Sequence, residues 1–128
     1  METEEIVTQT AKIRLDENGI LRVTCLPGAT QTLAQAHENM SVEVQLSRGK
    51  RRPILVDLTG MKSFDRDARA YYAGEEAAKY QSAIALLIGS PLSRVIGNFF
   101  IGFNKSPMPT KLFTSEPEAL EWLKEFLR

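Results

Sequence analysis

The sequence predicts a single α/β domain over residues 1–128, with a mostly parallel sheet and an antiparallel hairpin at its N-terminal end. Three observations predict this fold class. An alternating apolar pattern, interrupted by a turn signal, is typical of a hairpin. Two uninterrupted apolar runs are typical of strands that are buried on both faces. Segments with helical periodicity separate these runs, an order that favours parallel strands joined by right-handed crossovers.

The hairpin lies near the amino terminus. Apolar and polar residues alternate in the segment 11–15, and the segment 21–25 repeats that period. The turn between them ends in Asn18-Gly19, a dipeptide that tolerates the positive φ angles of tight turns. The alternation places Cys25 on the inward face of the sheet, and we interpret it as a core residue.

Helices and buried strands alternate along the rest of the chain. The predicted helices cover residues 30–46, 65–80, 91–103 and 116–127, and the predicted strands cover 54–56, 83–88 and 111–113. In the first helix the apolar stripe is expected to contain Leu33, Ala36, Met40 and Val44. Ser115 and Glu118 form a capping box at the start of the last helix.

Composition and charge exclude several classes of protein. Sixteen basic residues balance sixteen acidic ones, so no overall positive field attracts the domain to nucleic acid. Cys25 is the single cysteine, which excludes an internal disulfide and a multi-cysteine metal site. The acidic start is unlike a secretion signal, and no stretch reaches the ~18 apolar residues of a membrane span. We expect a cytoplasmic protein without cofactor or metal, which binds no nucleic acid and does not insert into membranes.

Two loops lie where ligands of parallel sheets gather, outside the carboxyl ends of the strands. The loop 57–65 leads into the second predicted helix, and the loop 89–94 leads into the third. Thr59 and Ser63 are either phosphoacceptors or turn residues that bond their own backbone. The candidate residues for binding an anion are Ser90, Ser93 and Arg94, although Arg94 also fits an exposed helix position.

The first of these loops carries a resemblance to a known family. An apolar strand that ends in Asp-Leu-Thr-Gly, followed after four residues by an aspartate at a helix start, resembles the signature of the STAS domain. This is the fold of bacterial anti-sigma-factor antagonists. The order of strands and helices is similar to that family, and so is the closing stretch 112–123. The resemblance implies a mixed sheet of four or five strands with four helices mainly on one side.

The resemblance also implies a non-catalytic regulatory or protein-interaction domain. In antagonists of this family a partner kinase phosphorylates a serine that follows the aspartate at the helix start, and partner binding is switched off. Here Asp65 is followed by Arg66, Asp67 and Ala68, so we expect no phosphoserine switch. Asp67 either acts as a fixed negative charge for a partner or only stabilises the helix dipole. The partner-binding residues that the resemblance implies are Asp57, Thr59, Ser63, Asp65, Arg66 and Asp67.

The third predicted helix is more apolar than one buried face requires, because Ile101 adds to Phe99, Phe100 and Phe103. The surplus fits a deeper core, a homodimer interface or the wall of a ligand pocket. In the last case the chain carries a small apolar or lipid-like ligand between the sheet and this helix, with the three phenylalanines as contacts. Ligand carriage is therefore the alternative function.

Enzyme signatures are not found. The sequence has no phosphate-binding loop, dinucleotide turn, nucleophile elbow or zinc-protease helix. A hydrolase or phosphotransferase that uses Asp57 and Asp65 is a third hypothesis, but nothing in the sequence separates the pKa values of these two carboxylates. We expect a protein without enzymatic activity.

Overall fold

A computed structural model describes residues 4–103 and 108–127, with the side chains of 99–103 left outside that description. Its strands are β1 (Glu5–Val7), β2 (Ala11–Leu15), β3 (Leu21–Cys25), β4 (Thr30–Gln31), β5 (Arg52–Asp57), β6 (Ser63–Phe64), β7 (Gln81–Leu87) and β8 (Thr110–Phe113). Six of them form one sheet in the order β1-β2-β3-β5-β7-β8, and β4 pairs with β6. The first three strands of the sheet are antiparallel, and the remaining pairs are parallel. The predicted α/β class is confirmed, and β1 extends the expected sheet.

The helices are α1 (Leu33–Ser47), α2 (Arg66–Tyr72), α3 (Glu75–Ala78), α4 (Pro91–Phe103) and α5 (Glu116–Leu123), and a 3₁₀ turn (Lys124–Phe126) follows α5. The second predicted helix is thus two helices. The helix is interrupted at Ala73 and Gly74. Gly74 has an extended backbone conformation, and its N–H donates to the Tyr71 carbonyl at 3.2 Å. Within the described residues, no helix has both the length and the apolar character needed to span a bilayer.

The hairpin between β2 and β3 depends on Asp16 as much as on glycine. Gly19 takes the expected positive φ of 92°, whereas Asn18 does not. The buried carboxylate of Asp16 accepts hydrogen bonds from the N–H of Asn18 at 2.9 Å and of Ile20 at 3.0 Å. The Asn-Gly signal predicted positive φ angles at both residues. Only Gly19 has one, and the hydrogen bonds to the Asp16 side chain stabilise the turn instead.

Two apolar clusters cover the two faces of the sheet. Ile54, Ile84 and Leu86 face a cluster to which α1, α2, α3 and α4 all contribute. Leu55, Ala83, Ala85 and Leu87 face a second cluster that includes Leu123 of α5. Both faces of β5 and β7 are covered, as their uninterrupted apolar runs predicted. Four helices lie on one side and α5 lies on the other, in agreement with the expected arrangement.

The buried face of α1 differs from the predicted stripe. Leu33 is exposed and Val44 is only half-buried, whereas Asn39 and Glu43 are buried. Asn39 and Glu43 are in helical phase with the buried apolar residues of α1, so the helix has turned a partly polar face to the sheet.

We predict that Leu123→Ala lowers the free energy of unfolding by about 2–5 kcal/mol, because it leaves a cavity beneath α5. Leu123 is fully buried, whereas Leu92 is 46% exposed. Leu92→Ala is therefore the control, with an expected loss of less than about 0.5 kcal/mol. Urea unfolding monitored by circular dichroism measures both values. Equal losses in the two variants would contradict the packing of α5 on the sheet.

Candidate functional site

The loop 57–65 begins with a turn around Asp57, where the chain leaves β5. Asp57 Oδ1 accepts hydrogen bonds from the Thr59 N–H at 2.9 Å and from the Thr59 hydroxyl at 2.6 Å. This bonding is typical of an Asx turn. Thr59 is exposed and Asp57 is half-buried. The carboxylate of Asp57 therefore shapes the loop, and Thr59 lies at its surface.

Backbone hydrogen bonds tie this loop to the segment that precedes α1. The N–H of Lys62 donates to the Ala29 carbonyl at 2.8 Å, and the N–H of Asp65 donates to the Gln31 carbonyl at 2.9 Å. The pairing of β4 with β6 lies between these two bonds. The loop is thus held by its own chain, while the side chain of Ser63 stays exposed.

Asp65 caps the amino end of α2. Its Oδ1 accepts a hydrogen bond from the Ala68 N–H at 2.9 Å, so the predicted capping role is confirmed. Arg66 and Asp67 occupy the exposed side of the first turn, and Ala68 is fully buried. The candidate residues at this helix end therefore include three charged side chains in contact with solvent.

The second loop meets the first. Ser90 Oγ donates to the Thr59 carbonyl at 3.4 Å, and this bond joins the loops at the surface. Ser93 is fully buried, and its Oγ accepts from the N–H of Gly89 and of Ser90 at 2.9 Å each. The hydroxyls of Ser90 and Ser93 are thus both engaged within the chain, and Arg94 is the one of the three anion candidates whose side chain is exposed. We call residues 57–67 and 89–94 together the loop corner.

The candidate apolar contacts Phe99, Phe100 and Phe103 lie on α4, but their side chains fall outside the described residues. A ligand between the sheet and α4 stays a prediction. A cavity among the described residues lies elsewhere, between α1 and the sheet.

This cavity has a volume of about 30 Å³. Apolar side chains form most of its wall, and six of them belong to β3, β5 and β7. Five polar residues complete the lining: Gln31, Asn39, Glu43, Tyr72 and Gln81. Sequence reasoning did not find this group, since a glutamate on a helix is usually exposed. Helical periodicity could have indicated this burial, because Asn39 and Glu43 are four residues apart and lie on the same face of the helix as Ala36 and Met40.

A buried hydrogen-bond network surrounds the cavity. Gln81 Nε2 donates to Glu43 Oε1 at 2.5 Å, and Asn39 Nδ2 donates to Thr10 Oγ1 at 3.0 Å. Burial raises the pKa of the Glu43 carboxyl from 4.5 to about 8, although the hydrogen bond from Gln81 favours the charged form. Glu43 is therefore predominantly neutral at pH 7.

Cys25 borders the same cavity, and the structure places it in the core as expected. Burial raises the pKa of its thiol to about 12, and the negative charge of Asp57 and, above the pKa of Glu43, that of Glu43 act in the same direction. The thiol stays protonated at neutral pH and is unsuited to act as a nucleophile or metal ligand.

The sequence comparisons identify a family. The family model described as a domain of unknown function, DUF7793, matches residues 13–127. The chain belongs to the DUF7793 family. Among curated proteins, none matches its sequence.

Two solved structures are similar to this DUF7793 chain. An uncharacterized protein of the DUF3478 family from Shewanella loihica PV-4, with a SpoIIAA-like fold, is 17% identical, with a TM-score of 0.56 over 95% of this chain and 92% of its own. A protein with unknown function from Arthrobacter sp. FB24 is 42% identical over 93% of this chain and 96% of its own, with a TM-score of 0.36. The first likeness shows a SpoIIAA-like, and thus STAS-like, fold, which confirms the resemblance seen in the sequence.

We predict that Asp65→Ala destabilises this DUF7793 domain by about 1 kcal/mol, because the first turn of α2 loses its cap. Asp65→Asn keeps an acceptor at the same position, so its stability stays near that of the wild type. Urea unfolding compares the two variants. An equally large loss in Asp65→Asn would show that charge, and not capping, is what Asp65 contributes.

A second prediction concerns pH. The pKa of Glu43 is higher in the folded chain than its ordinary value, so the folded state binds the proton more tightly. This contribution to stability is complete below about pH 4.5 and is lost as pH rises through about 8. The loss amounts to about 5 kcal/mol at most. We therefore expect Glu43→Gln to be more stable than the wild type at pH 9, but not at pH 5.

Thermal unfolding of both proteins between these pH values measures the difference. Glu38→Gln is the control, because Glu38 is exposed on the same helix and its substitution should leave the pH profile unchanged. Parallel profiles for wild type and Glu43→Gln would argue against a buried neutral carboxyl.

Proposed function

We propose that this chain is a non-catalytic, cytoplasmic protein-interaction domain with a regulatory role, and that its partner contacts the loop corner. The STAS-like fold supports an interaction role. The resemblance of the sequence to anti-sigma-factor antagonists, which bind protein partners, implies the same role. The observation that carries the proposal is the exposure of Thr59, Ser63, Asp65, Arg66 and Asp67 on one ordered surface.

Preorganisation supports binding at this surface. The Asx turn at Asp57, the cap at Asp65 and the bond between Ser90 and Thr59 hold the loop corner in one conformation. Binding to such a surface does not require a flexible loop to be ordered, so it avoids that cost in free energy. The exposed charges of both signs then select the partner by electrostatic complementarity.

Regulation by a phosphoserine is not part of the proposal. Ala68 is fully buried, and the two residues between it and Asp65 carry no hydroxyl. The exposed carboxylate of Asp67 supplies one fixed negative charge at the end of α2, less than the charge of a phosphate. In our proposal partner binding does not depend on a phosphoserine in the first turn of α2.

Site-specific photo-crosslinking in the cells that produce the protein tests the proposal. A photoreactive amino acid at Thr59 or Asp67 should capture a single protein partner. The same amino acid at Glu121, which is exposed on α5 on the other side of the sheet, is the control and should not capture it. Capture of the same proteins from both surfaces would refute a specific contact at the loop corner.

The partner identified in this way is then titrated against Asp65→Asn/Asp67→Asn, a double variant that keeps the cap of α2. We expect roughly tenfold weaker binding, because two exposed charge contacts of about 0.2–1 kcal/mol each are removed. Glu121→Gln/Glu125→Gln removes two exposed carboxylates from the α5 region and should bind like the wild type. Unchanged affinity in the first variant would exclude these aspartates from the contact.

A further inference from the structure

The cavity between α1 and the sheet is too small for a metabolite and large enough for a very small molecule. Its volume of about 30 Å³ exceeds the ~10–15 Å³ that one water molecule requires. It is far below the ~300–1,000 Å³ of pockets that hold drug-sized ligands. An occupant therefore has one or two non-hydrogen atoms.

Two buried acceptor atoms belong to residues that line this cavity and have no donor among the described residues. Gln31 is 2% exposed and Gln81 is 1% exposed, and both line the cavity. The Oε1 atom of each has no hydrogen-bond partner among the described residues. Their Nε2 atoms are engaged, with Thr10 at 3.4 Å and with Glu43 at 2.5 Å. Buried amide oxygens are rarely left unpaired, since they have lost their hydrogen bonds to bulk water.

We propose that this cavity is a binding site for a water-sized molecule that donates hydrogen bonds to Gln31 Oε1 and Gln81 Oε1. Water and ammonium share this chemistry. Glu43 borders the site and is predominantly neutral at pH 7, so the site favours an uncharged water molecule. A charged Glu43 carboxylate would favour ammonium instead. The cavity shares Leu58 and Phe64 with the loop corner, but the test of the site does not depend on a protein partner.

Magnetic relaxation dispersion of the water deuteron, recorded on the full chain, counts water molecules that are held longer than the protein takes to tumble. At one buried water per about 27 residues, a chain of this length holds about five such waters, and we expect one or two of them in the cavity of the wild type. Gln31→Met and Gln81→Met each remove an acceptor and fill space, so each should lose at least one long-lived water. Gln45→Met, at an exposed position of α1, is the matched control and should keep the wild-type count.

The fold of each variant is checked by near-ultraviolet circular dichroism. If neither cavity variant folds, a crystal structure of the wild type at atomic resolution decides. Density within hydrogen-bond distance of both Oε1 atoms supports the site. A dry cavity in the wild type, or an unchanged count of long-lived waters in both folded variants, would overturn the proposal.

Titration with ammonium chloride against sodium chloride separates the two occupants. A saturating shift of the side-chain amide signals of Gln31 and Gln81 with ammonium alone identifies ammonium in the site. The lack of such a shift, together with a long-lived water, identifies water. Either result supports a site that binds a small hydrogen-bond donor. A protein that holds neither occupant would contradict the proposal.

Discussion

The burial of a partly polar face of α1 is the constraint on which the arrangement of this structure depends. Asn39 and Glu43 lie between the helix and the sheet, where an unpaired polar group is costly. Gln81 at the start of β7 and Thr10 before β2 supply their hydrogen bonds. Apolar contacts have no preferred direction, whereas these directional hydrogen bonds favour one rotation of α1 about its axis. We infer that they set its position over the sheet.

The buried network and the loop corner are joined by one short segment. Gln31 lines the cavity with its side chain, and its carbonyl accepts the N–H of Asp65, the cap of α2. Phe64 lines the same cavity, and β6 pairs it with Gln31. The surface that presents Asp65 and Asp67 is therefore built directly on the cavity wall, and the packing around α1 positions the amino end of α2.

Sequence patterns predicted the parts of the fold that depend on apolar periodicity. The hairpin and the runs at 54–56 and 83–88 are strands as expected, and the Asp-Leu-Thr-Gly resemblance indicated the fold family. The patterns missed two features. β1 has three mostly exposed residues, so its pairing with nearby β2 leaves no apolar alternation in the sequence. Glu43 is bonded within the core by Gln81, 38 positions away, and no local window contains both residues.

The same architecture explains why a partner would meet a loop surface. One face of the sheet is covered by α1–α4 and the other by α5, so neither face is free. The edge strands β1 and β8 are short, and β8 presents Lys111, a residue that discourages pairing with another sheet. Among the described residues, the loops that follow the carboxyl ends of the parallel strands combine exposed charges with an ordered backbone. In α/β domains, the groups that bind ligands usually lie on such loops. Because the described helices cover both faces of the sheet, our proposal places the partner at the loop corner.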